Sequence, residues 1–258
     1  MKGSLAMKKV FLLGLSVVLA FLPSCVNEKP EPVYVPETVE KERTLLYAQE
    51  ISGIEFTFYS DDTAEVTGLA EGTHGQALTL PDKIGETPIV GIGVEAFRGS
   101  EYTEITLPST VKTIGDRAFQ KSHLTKITLP DSVESLGKEA FDNCLRLQEV
   151  TFGTGLRDIP LGCFFGCSQL KKVTLPEGVE SVGEEAFASL SSLEEISLPA
   201  TLKTIGAFAF WNSGKTALSV TVPAGVESVG EEAFSRTEPH QITYHGENES
   251  VKSALGLA

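Results

Sequence analysis

The side chains that most often carry out catalysis or bind metal ions are sparse in this sequence of 258 residues. Its four histidines are scattered, and none has a cysteine or a carboxylate at metal-ligand spacing. A Ser-x-x-Lys string at Ser109–Lys112 matches the nucleophile motif of some serine hydrolases, which requires both side chains on one helical face. Because Val111 follows a proline and occupies a repeated apolar position, we regard this match as coincidental. We therefore predict a protein that is not an enzyme and has neither a cofactor nor a metal site.

The net charge excludes one further class of partner. The chain has 35 acidic and 21 basic residues, which gives a formal net charge of −14. Nucleic-acid binding depends on clustered lysine and arginine side chains that neutralise phosphates. We therefore expect no nucleic-acid partner.

The chain is built from a repeat whose clearest copy is the segment 129–152, LPDSVESLGKEAFDNCLRLQEVTF. The phenylalanine near its centre recurs at intervals of 22 to 24 residues, and a Leu-Pro pair or an equivalent precedes each copy. The recurring phenylalanines are Phe97, Phe119, Phe141, Phe164, Phe187, Phe210 and Phe234. A period of this length predicts stacked units, here called rungs, that bury one continuous core.

The other repeated positions have a simple physical role. Proline cannot donate to a strand ladder and therefore ends the strand at the same place in each rung, while the glycine that follows permits a sharp turn. No single rung buries its own apolar edge, so about three or more are needed for stability. We expect the phenylalanines to form a continuous internal spine.

This pattern, from Leu80 to Tyr244, resembles the BspA-like leucine-rich repeats of bacterial surface proteins. The resemblance implies a mainly β, right-handed solenoid of about seven rungs that is used for binding. It implies no catalytic residues. Because the family is associated with adhesion, the expected function is recognition of a host or neighbouring-cell protein. The alternative is a glycan-binding accessory lipoprotein of a polysaccharide-uptake system.

Both ends of the array are expected to carry caps. Alternating apolar residues at 54–59 and 64–67 flank a turn and predict a β-hairpin that covers the first rung. The first rung has extra residues at 85–90, which we expect to bulge as a loop, and residues 248–255 are expected to form a short helix. The predicted boundaries are 1–24 for a lipoprotein signal peptide, 25–44 for a disordered tether, 45–75 for the capping hairpin, 76–245 for the solenoid and 246–258 for a C-terminal tail or cap.

The N-terminus has the pattern of an export signal. A basic start at Met7–Lys9 precedes an apolar run at Val10–Phe21, which is too short to span a membrane as a mature helix. The following Leu22–Cys25 is similar to a bacterial lipoprotein processing box, which would make Cys25 the lipidated first residue of the mature protein. Ordinary secretory cleavage with an incidental cysteine is the alternative. Lipidation implies an outer-membrane protein at the cell surface or on the periplasmic face, joined to the membrane by its lipid alone.

The remaining cysteines fall in repeated positions. We call the set of residues at one position of the repeat a column. Cys144 and Cys167 share a column filled elsewhere by small residues such as Ser122, while Cys163 replaces the alanine of the Ala-Phe pair. We interpret all three as small buried residues that line the hydrophobic core. A Cys144–Cys167 disulfide is the alternative, although stacked side chains would point in parallel rather than converge.

Two exposed columns alternate in charge from rung to rung, as in-register strands favour. The first column is Glu104, Lys126, Glu149, Lys172 and Glu195, and the second is Lys112, Glu134, Arg157, Glu180, Lys203 and Glu227. We interpret both as surfaces that set the register and neutralise themselves.

One edge of the predicted solenoid, formed by the residues next to the core phenylalanines, departs from the repeat pattern. The residue after the core phenylalanine is small or polar in most rungs but is Phe165 in one and Trp211 in another. The position two before that phenylalanine is usually charged but is Phe208 in one rung. Aromatic side chains at this spacing suit stacking on a sugar or gripping a partner side chain, whereas inward packing is the alternative. We therefore name Phe165, Phe208 and Trp211 as the candidate ligand-binding residues.

Overall fold

The structure is a computed structural model that describes residues 43–214, 218–237 and 241–257. The strands are β1 (Leu45–Ile51), β2 (Ile54–Tyr59), β3 (Ala64–Leu69), β4 (Ala77–Thr79), β5 (Lys83–Ile84), β6 (Thr87–Ile92), β7 (Glu104–Thr106), β8 (Thr113–Ile114), β9 (Lys126–Thr128), β10 (Ser135–Leu136), β11 (Glu149–Thr151), β12 (Asp158–Ile159), β13 (Lys172–Thr174), β14 (Ser181–Val182), β15 (Glu195–Ser197), β16 (Thr204–Ile205), β17 (Ser219–Val222), β18 (Ser228–Val229) and β19 (Gln241–Tyr244), and the helix is α1 (Glu249–Ala254). Within these ranges no helix is long and apolar enough to cross a membrane. The predicted signal peptide, Cys25 and nearly all of the predicted tether lie outside the described residues.

Each rung contributes one short strand to each of two parallel ladders. The first ladder contains β7, β9 and β11, in which Val150 pairs with Ile127. The second contains β6, β8 and β10, in which Leu136 pairs with Ile114. Paired residues are thus one repeat apart, and the predicted mainly β solenoid is confirmed.

The repeated phenylalanines form the predicted spine. Successive rings from Phe97 to Phe234 stack with centroids 4.9–5.4 Å apart and planes within 8° of parallel. The first six are almost completely buried, whereas Phe234 at the end of the stack is slightly more accessible. The spine and the buried aliphatic residues of both ladders belong to one hydrophobic core that runs through all rungs.

Both ladders are interrupted at the same point in the middle of the array, and among the described strands the first ladder is interrupted again between β15 and β17. The glycine after each short strand normally donates its N–H to the rung before, as Gly137 does to Ile114 O at 2.6 Å. Pro160 occupies this glycine position and has no N–H to donate. Within residues 43–214, β10 does not pair with β12, nor β11 with β13. The stack of rings nevertheless continues across the interruption, with Phe141 and Phe164 4.9 Å apart.

The N-terminal end is closed by strands, as predicted. β2 and β3 form the expected antiparallel hairpin, β1 adds a third strand, and β3 joins β6 of the first rung in parallel. The expectation of a loop at 85–90 is wrong, because β5 and β6 form a second small hairpin that turns at Gly85 and Glu86. Ile89 is fully buried, and its burial explains why this segment pairs as a strand instead of bulging into solvent.

The C-terminal end is covered by the expected short helix. Asn248 caps α1, since its side-chain oxygen accepts hydrogen bonds from the backbone N–H groups of Ser250 and Val251. Val251 is fully buried and packs with the core. The helix therefore covers apolar surface that the last rung would otherwise leave open.

Candidate functional site

The three candidate aromatic residues lie on the edge formed by the turns that carry the core phenylalanines. Backbone hydrogen bonds keep successive turns in register, including Gly166 N to Ala188 O at 2.9 Å and Ser189 N to Trp211 O at 2.8 Å. Phe165 and Trp211 therefore occupy equivalent positions two rungs apart, with the fully buried Ala188 between them. Both rings are half-exposed, which is compatible with ligand contact as well as with packing along the edge.

Phe208 lies in the same turn as Trp211. The two residues are joined by a hydrogen bond from Trp211 N to Phe208 O at 3.0 Å, and the Phe208 side chain is half-exposed. The Arg236 guanidinium lies 5.3 Å from the centre of the Trp211 ring, a distance at which a cation interacts with an aromatic face. Trp211 is therefore already in contact with a cation, and Phe165 has the more available ring.

A shallow pocket opens beside Phe165, and we call it the Gly162 pocket. Its volume is about 260 Å³, and it is lined by Glu139, Asp142, Asn143, Leu161, Gly162, Phe165 and Glu185. At the position of Gly162 the neighbouring rungs carry Glu139 and Glu185 in the same left-handed conformation, with φ of 56° and 53°. Glycine adopts this conformation without strain and supplies no side chain, so the charged column is interrupted and the pocket is open.

The lining of the Gly162 pocket is both acidic and apolar. Asp142 accepts hydrogen bonds from Gln120 Nε2 at 2.7 Å and Asn143 Nδ2 at 2.6 Å. Burial raises the pKa of the Asp142 carboxyl group above its usual value. Leu161 is 37% exposed at the rim. Carboxylates beside an aromatic ring and an exposed aliphatic chain suit a lysine or arginine side chain of a partner.

The alternating charges form ion pairs between rungs, as predicted. In the first column Lys126 lies 3.1 Å from Glu104, and Lys172 lies 2.7 Å from Glu195. In the second column Glu180 contacts both Arg157 and Lys203, and Lys112 contacts Glu134. These exposed faces are thus largely self-neutralised and are poor candidates for binding a charged ligand.

A third ion-paired column was not predicted. Arg117 lies 3.0 Å from Glu95 in the rung before and 3.1 Å from Glu139 in the rung after. The signal was present in the sequence, because these residues occupy the column that Gly162 interrupts. Because Glu139 is paired with Arg117, the negative charge that it contributes to the Gly162 pocket is partly neutralised.

The cysteines are structural, as predicted. Cys144, Cys163 and Cys167 are free and fully buried. Cys144 Sγ donates a hydrogen bond to Phe119 O at 3.0 Å, and Cys167 Sγ donates one to Phe141 O at 3.1 Å. Burial raises the pKa of Cys163 and Cys167, which disfavours the reactive thiolate. In the part of the chain that the structure describes, no group of three or more His, Cys, Asp or Glu side chains is placed to hold a metal ion.

A second pocket opens where the first ladder is interrupted, and we call it the Phe152 groove. It has a volume of about 380 Å³ and is lined by Gln148, Glu149, Val150, Thr151, Phe152, Lys171, Lys172, Thr174 and Pro176. Phe152 takes the place of the leucine found in most rungs and meets the Phe164 ring edge-on at 5.6 Å. The groove thus combines a half-exposed aromatic ring with threonine hydroxyl groups.

Stacked parallel rungs, a buried phenylalanine spine and self-paired charged faces define a leucine-rich-repeat solenoid. Residues 90–217 match the model of the BspA type leucine rich repeat region in six copies. The repeats of this chain therefore belong to the BspA-type leucine-rich repeat family. None of the curated proteins matches the sequence.

Solved structures support the same assignment. A leucine rich cell surface protein from Faecalibacterium prausnitzii is 29% identical with a TM-score of 0.70, over 78% of this chain and 55% of that one. A leucine-rich repeat protein from Eubacterium ventriosum is 25% identical with a TM-score of 0.63, over 72% and 49%. This chain thus spans about half the length of both proteins. The leucine rich repeat protein of T. pallidum, 20% identical with a TM-score of 0.54 over 82% and 96%, shares the fold.

Proposed function

We propose that this protein binds a protein ligand of a host or a neighbouring cell without catalysing a reaction. The single observation that carries the proposal is the Gly162 pocket, because it interrupts a charged column directly beside the half-exposed Phe165. The repeat family and the cell-surface origin of a similar structure support a role in protein interaction. Turnover of cell-envelope polymers above background by the purified protein would overturn the non-catalytic part of the proposal.

Replacement of both Phe165 and Trp211 by alanine is expected to weaken ligand binding by about tenfold or more, since truncating an aromatic anchor costs about 2 kcal/mol. The ligand is first captured from host extracellular matrix on the immobilised full chain. Its affinity is then measured against the wild type and the double variant. Phe152→Leu is the matched control, because it removes a half-exposed ring on another face and restores the residue of most other rungs. Unchanged affinity in the double variant would remove this edge as the binding site.

The alternative function is glycan binding, and the Phe152 groove is the observation that favours it. An aromatic face beside hydroxyl groups is a common arrangement for holding a sugar ring. A glycan array run with the same variants distinguishes the two functions. Saturable glycan binding that is lost in Phe152→Leu, together with no captured protein, would replace protein recognition with glycan recognition.

We also propose that the chain is anchored by lipid at Cys25 and faces outward from the bacterial outer membrane. Support comes from the basic start, the apolar run and the processing box that precede Cys25. Acyl chains contribute about 0.8 kcal/mol of membrane affinity per buried methylene group. Labelled palmitate is expected to be incorporated into the wild type and not into Cys25→Ser. Label in both proteins would contradict the assignment, and protease digestion of intact cells tests the outward orientation.

A further inference from the structure

A third pocket on the solenoid has the opposite charge to the Gly162 pocket, and we call it the Arg146 pocket. Its volume is about 500 Å³, and it is lined by Lys121, Ser122, His123, Asn143, Leu145 and Arg146. It brings together basic side chains from two successive rungs of a chain whose net charge is −14.

Lys121 and Arg146 of the Arg146 pocket differ from most lysine and arginine side chains of the described residues in forming no direct ion pair with a carboxylate. Most lysine and arginine side chains in the described ranges form ion pairs. The described exceptions are Lys121, Lys138, Arg146 and Arg236. Two of these four line the same pocket, so positive charge that is neutralised elsewhere is left available here.

The nearby Asp142 carboxylate attracts Lys121 electrostatically but makes no direct ion pair with it, so it offsets the charge of the pocket only in part. Both carboxylate oxygens of Asp142 accept hydrogen bonds from side-chain amides, those of Gln120 and Asn143. The hydroxyl group of Ser122 is buried against Cys144 Sγ at 3.3 Å. Lys121 and Arg146 are therefore the lysine and arginine of this pocket, and neither forms a direct ion pair with a carboxylate of the described residues.

The backbone fixes where these cations stand. Lys121 N donates to Asp142 O at 2.8 Å, and His123 N donates to Ser100 O at 2.8 Å, so their turn is tied to the rungs on both sides. Lys121 and Asn143 both adopt a left-handed conformation, with φ of 58° and 54°. The pocket thus stands on a rigid part of the array, which lowers the entropic cost of binding.

We propose that the Arg146 pocket binds carboxylate side chains of the protein ligand, within a segment that carries apolar residues beside its acidic ones. Charge complementarity points to an acidic group, and Leu145, which is 57% exposed, supplies an apolar contact beside the cations. An acidic sugar fits less well, because none of the lining residues is a phenylalanine, tyrosine or tryptophan that would offer a broad stacking face.

The position of the Arg146 pocket extends the proposed binding edge. Asn143 lines both this pocket and the Gly162 pocket, so a basic and an acidic site adjoin on successive rungs. A ligand segment that places a basic residue in the Gly162 pocket would then place an acidic residue in the Arg146 pocket. This inference rests on the proposed protein-recognition function and specifies the chemistry of the partner.

The test uses the full chain and a fluorescent peptide of alternating glutamate and leucine, with binding followed by anisotropy. The double variant Lys121→Gln, Arg146→Gln is expected to bind about tenfold or more weakly, as loss of charge-assisted hydrogen bonds predicts. Lys138→Gln is the matched control, because it removes an unpaired cation that does not line the pocket, and it is expected to bind as the wild type does. Added salt is expected to weaken binding.

Two results would overturn the inference. One is equal affinity of the wild type and the double variant for the peptide. The other is saturable, Lys121- and Arg146-dependent binding of an oligogalacturonate in place of the peptide, which would make the pocket a glycan site. Failure here is distinguishable from failure of the proposed function, because a captured ligand that still depends on Phe165 and Trp211 would refute only the assignment of the Arg146 pocket.

Discussion

Phe141→Ala is expected to lower the free energy of unfolding by about 3–5 kcal/mol, the usual cost of truncating a buried phenylalanine. The Phe141 ring is fully buried between Phe119 at 5.1 Å and Phe164 at 4.9 Å. It is also the ring that continues the spine where both strand ladders are interrupted. Its loss removes apolar burial and the stacking that holds the two halves of the array together.

Guanidinium unfolding followed by circular dichroism measures this effect. In a repeat array stability depends on the coupling between neighbouring rungs, so Phe141→Ala is also expected to broaden the transition. Phe234→Ala is the control, because that ring has one stacking neighbour, at 5.1 Å, and lies at the end of the spine. We expect a smaller loss for the control. Equal midpoints for both variants would show that the central ring does not couple the halves.

The periodic features of the fold were accessible from the sequence. The spine depends only on a phenylalanine that returns every 22 to 24 residues, and one residue type at one position in a stack must meet its own copies. The pairing of Glu104 with Lys126 follows for the same reason, since in-register strands place equivalent residues side by side.

The interruption of the ladders was not predicted, although one contribution to it, the missing N–H of Pro160, is visible in the sequence. Pro160 replaces a glycine, and Phe152 replaces a leucine. Aligning the repeats reveals such replacements. It does not reveal how far two neighbouring rungs separate, because that distance depends on how each new side chain packs against the adjacent rung. The expected loop at 85–90 failed for a similar reason, because the burial of Ile89 against the core decided the outcome.

The candidate site was found only in part. Sequence comparison named Phe165 because an aromatic residue stood out among small and polar ones. It missed the Gly162 pocket, since the absence of a side chain matters only when the neighbouring side chains enclose the space. It also missed the Arg146 pocket, because Lys121 and Arg146 belong to different columns and are distinguished by lacking ion pairs. Whether a side chain has an ion-pair partner depends on its three-dimensional surroundings, which a comparison of repeats does not show.

Gly137→Ala is expected to destabilise the protein by about 3 kcal/mol, near the upper end of the usual cost of overpacking. A methyl group at Gly137 would overlap the backbone nitrogen of Asp116 and the carbonyl carbon of Gly115 in the preceding rung. Backbone atoms cannot rotate away as a side chain does, so the two rungs must move apart. That movement strains the hydrogen bond from Gly137 N to Ile114 O and the ring stack beside it.

The matched control is Gly225→Ala, for which we expect the opposite sign. A methyl group there would meet Ala200 O at 3.5 Å and Leu202 O at 3.9 Å, which are ordinary contacts. The φ of Gly225 lies outside the left-handed region, so alanine should raise stability by about 0.4–1 kcal/mol through the unfolded state. The two variants are compared by guanidinium unfolding under identical conditions. If both shift the midpoint in the same direction, the distance between rung backbones is not what requires glycine at position 137.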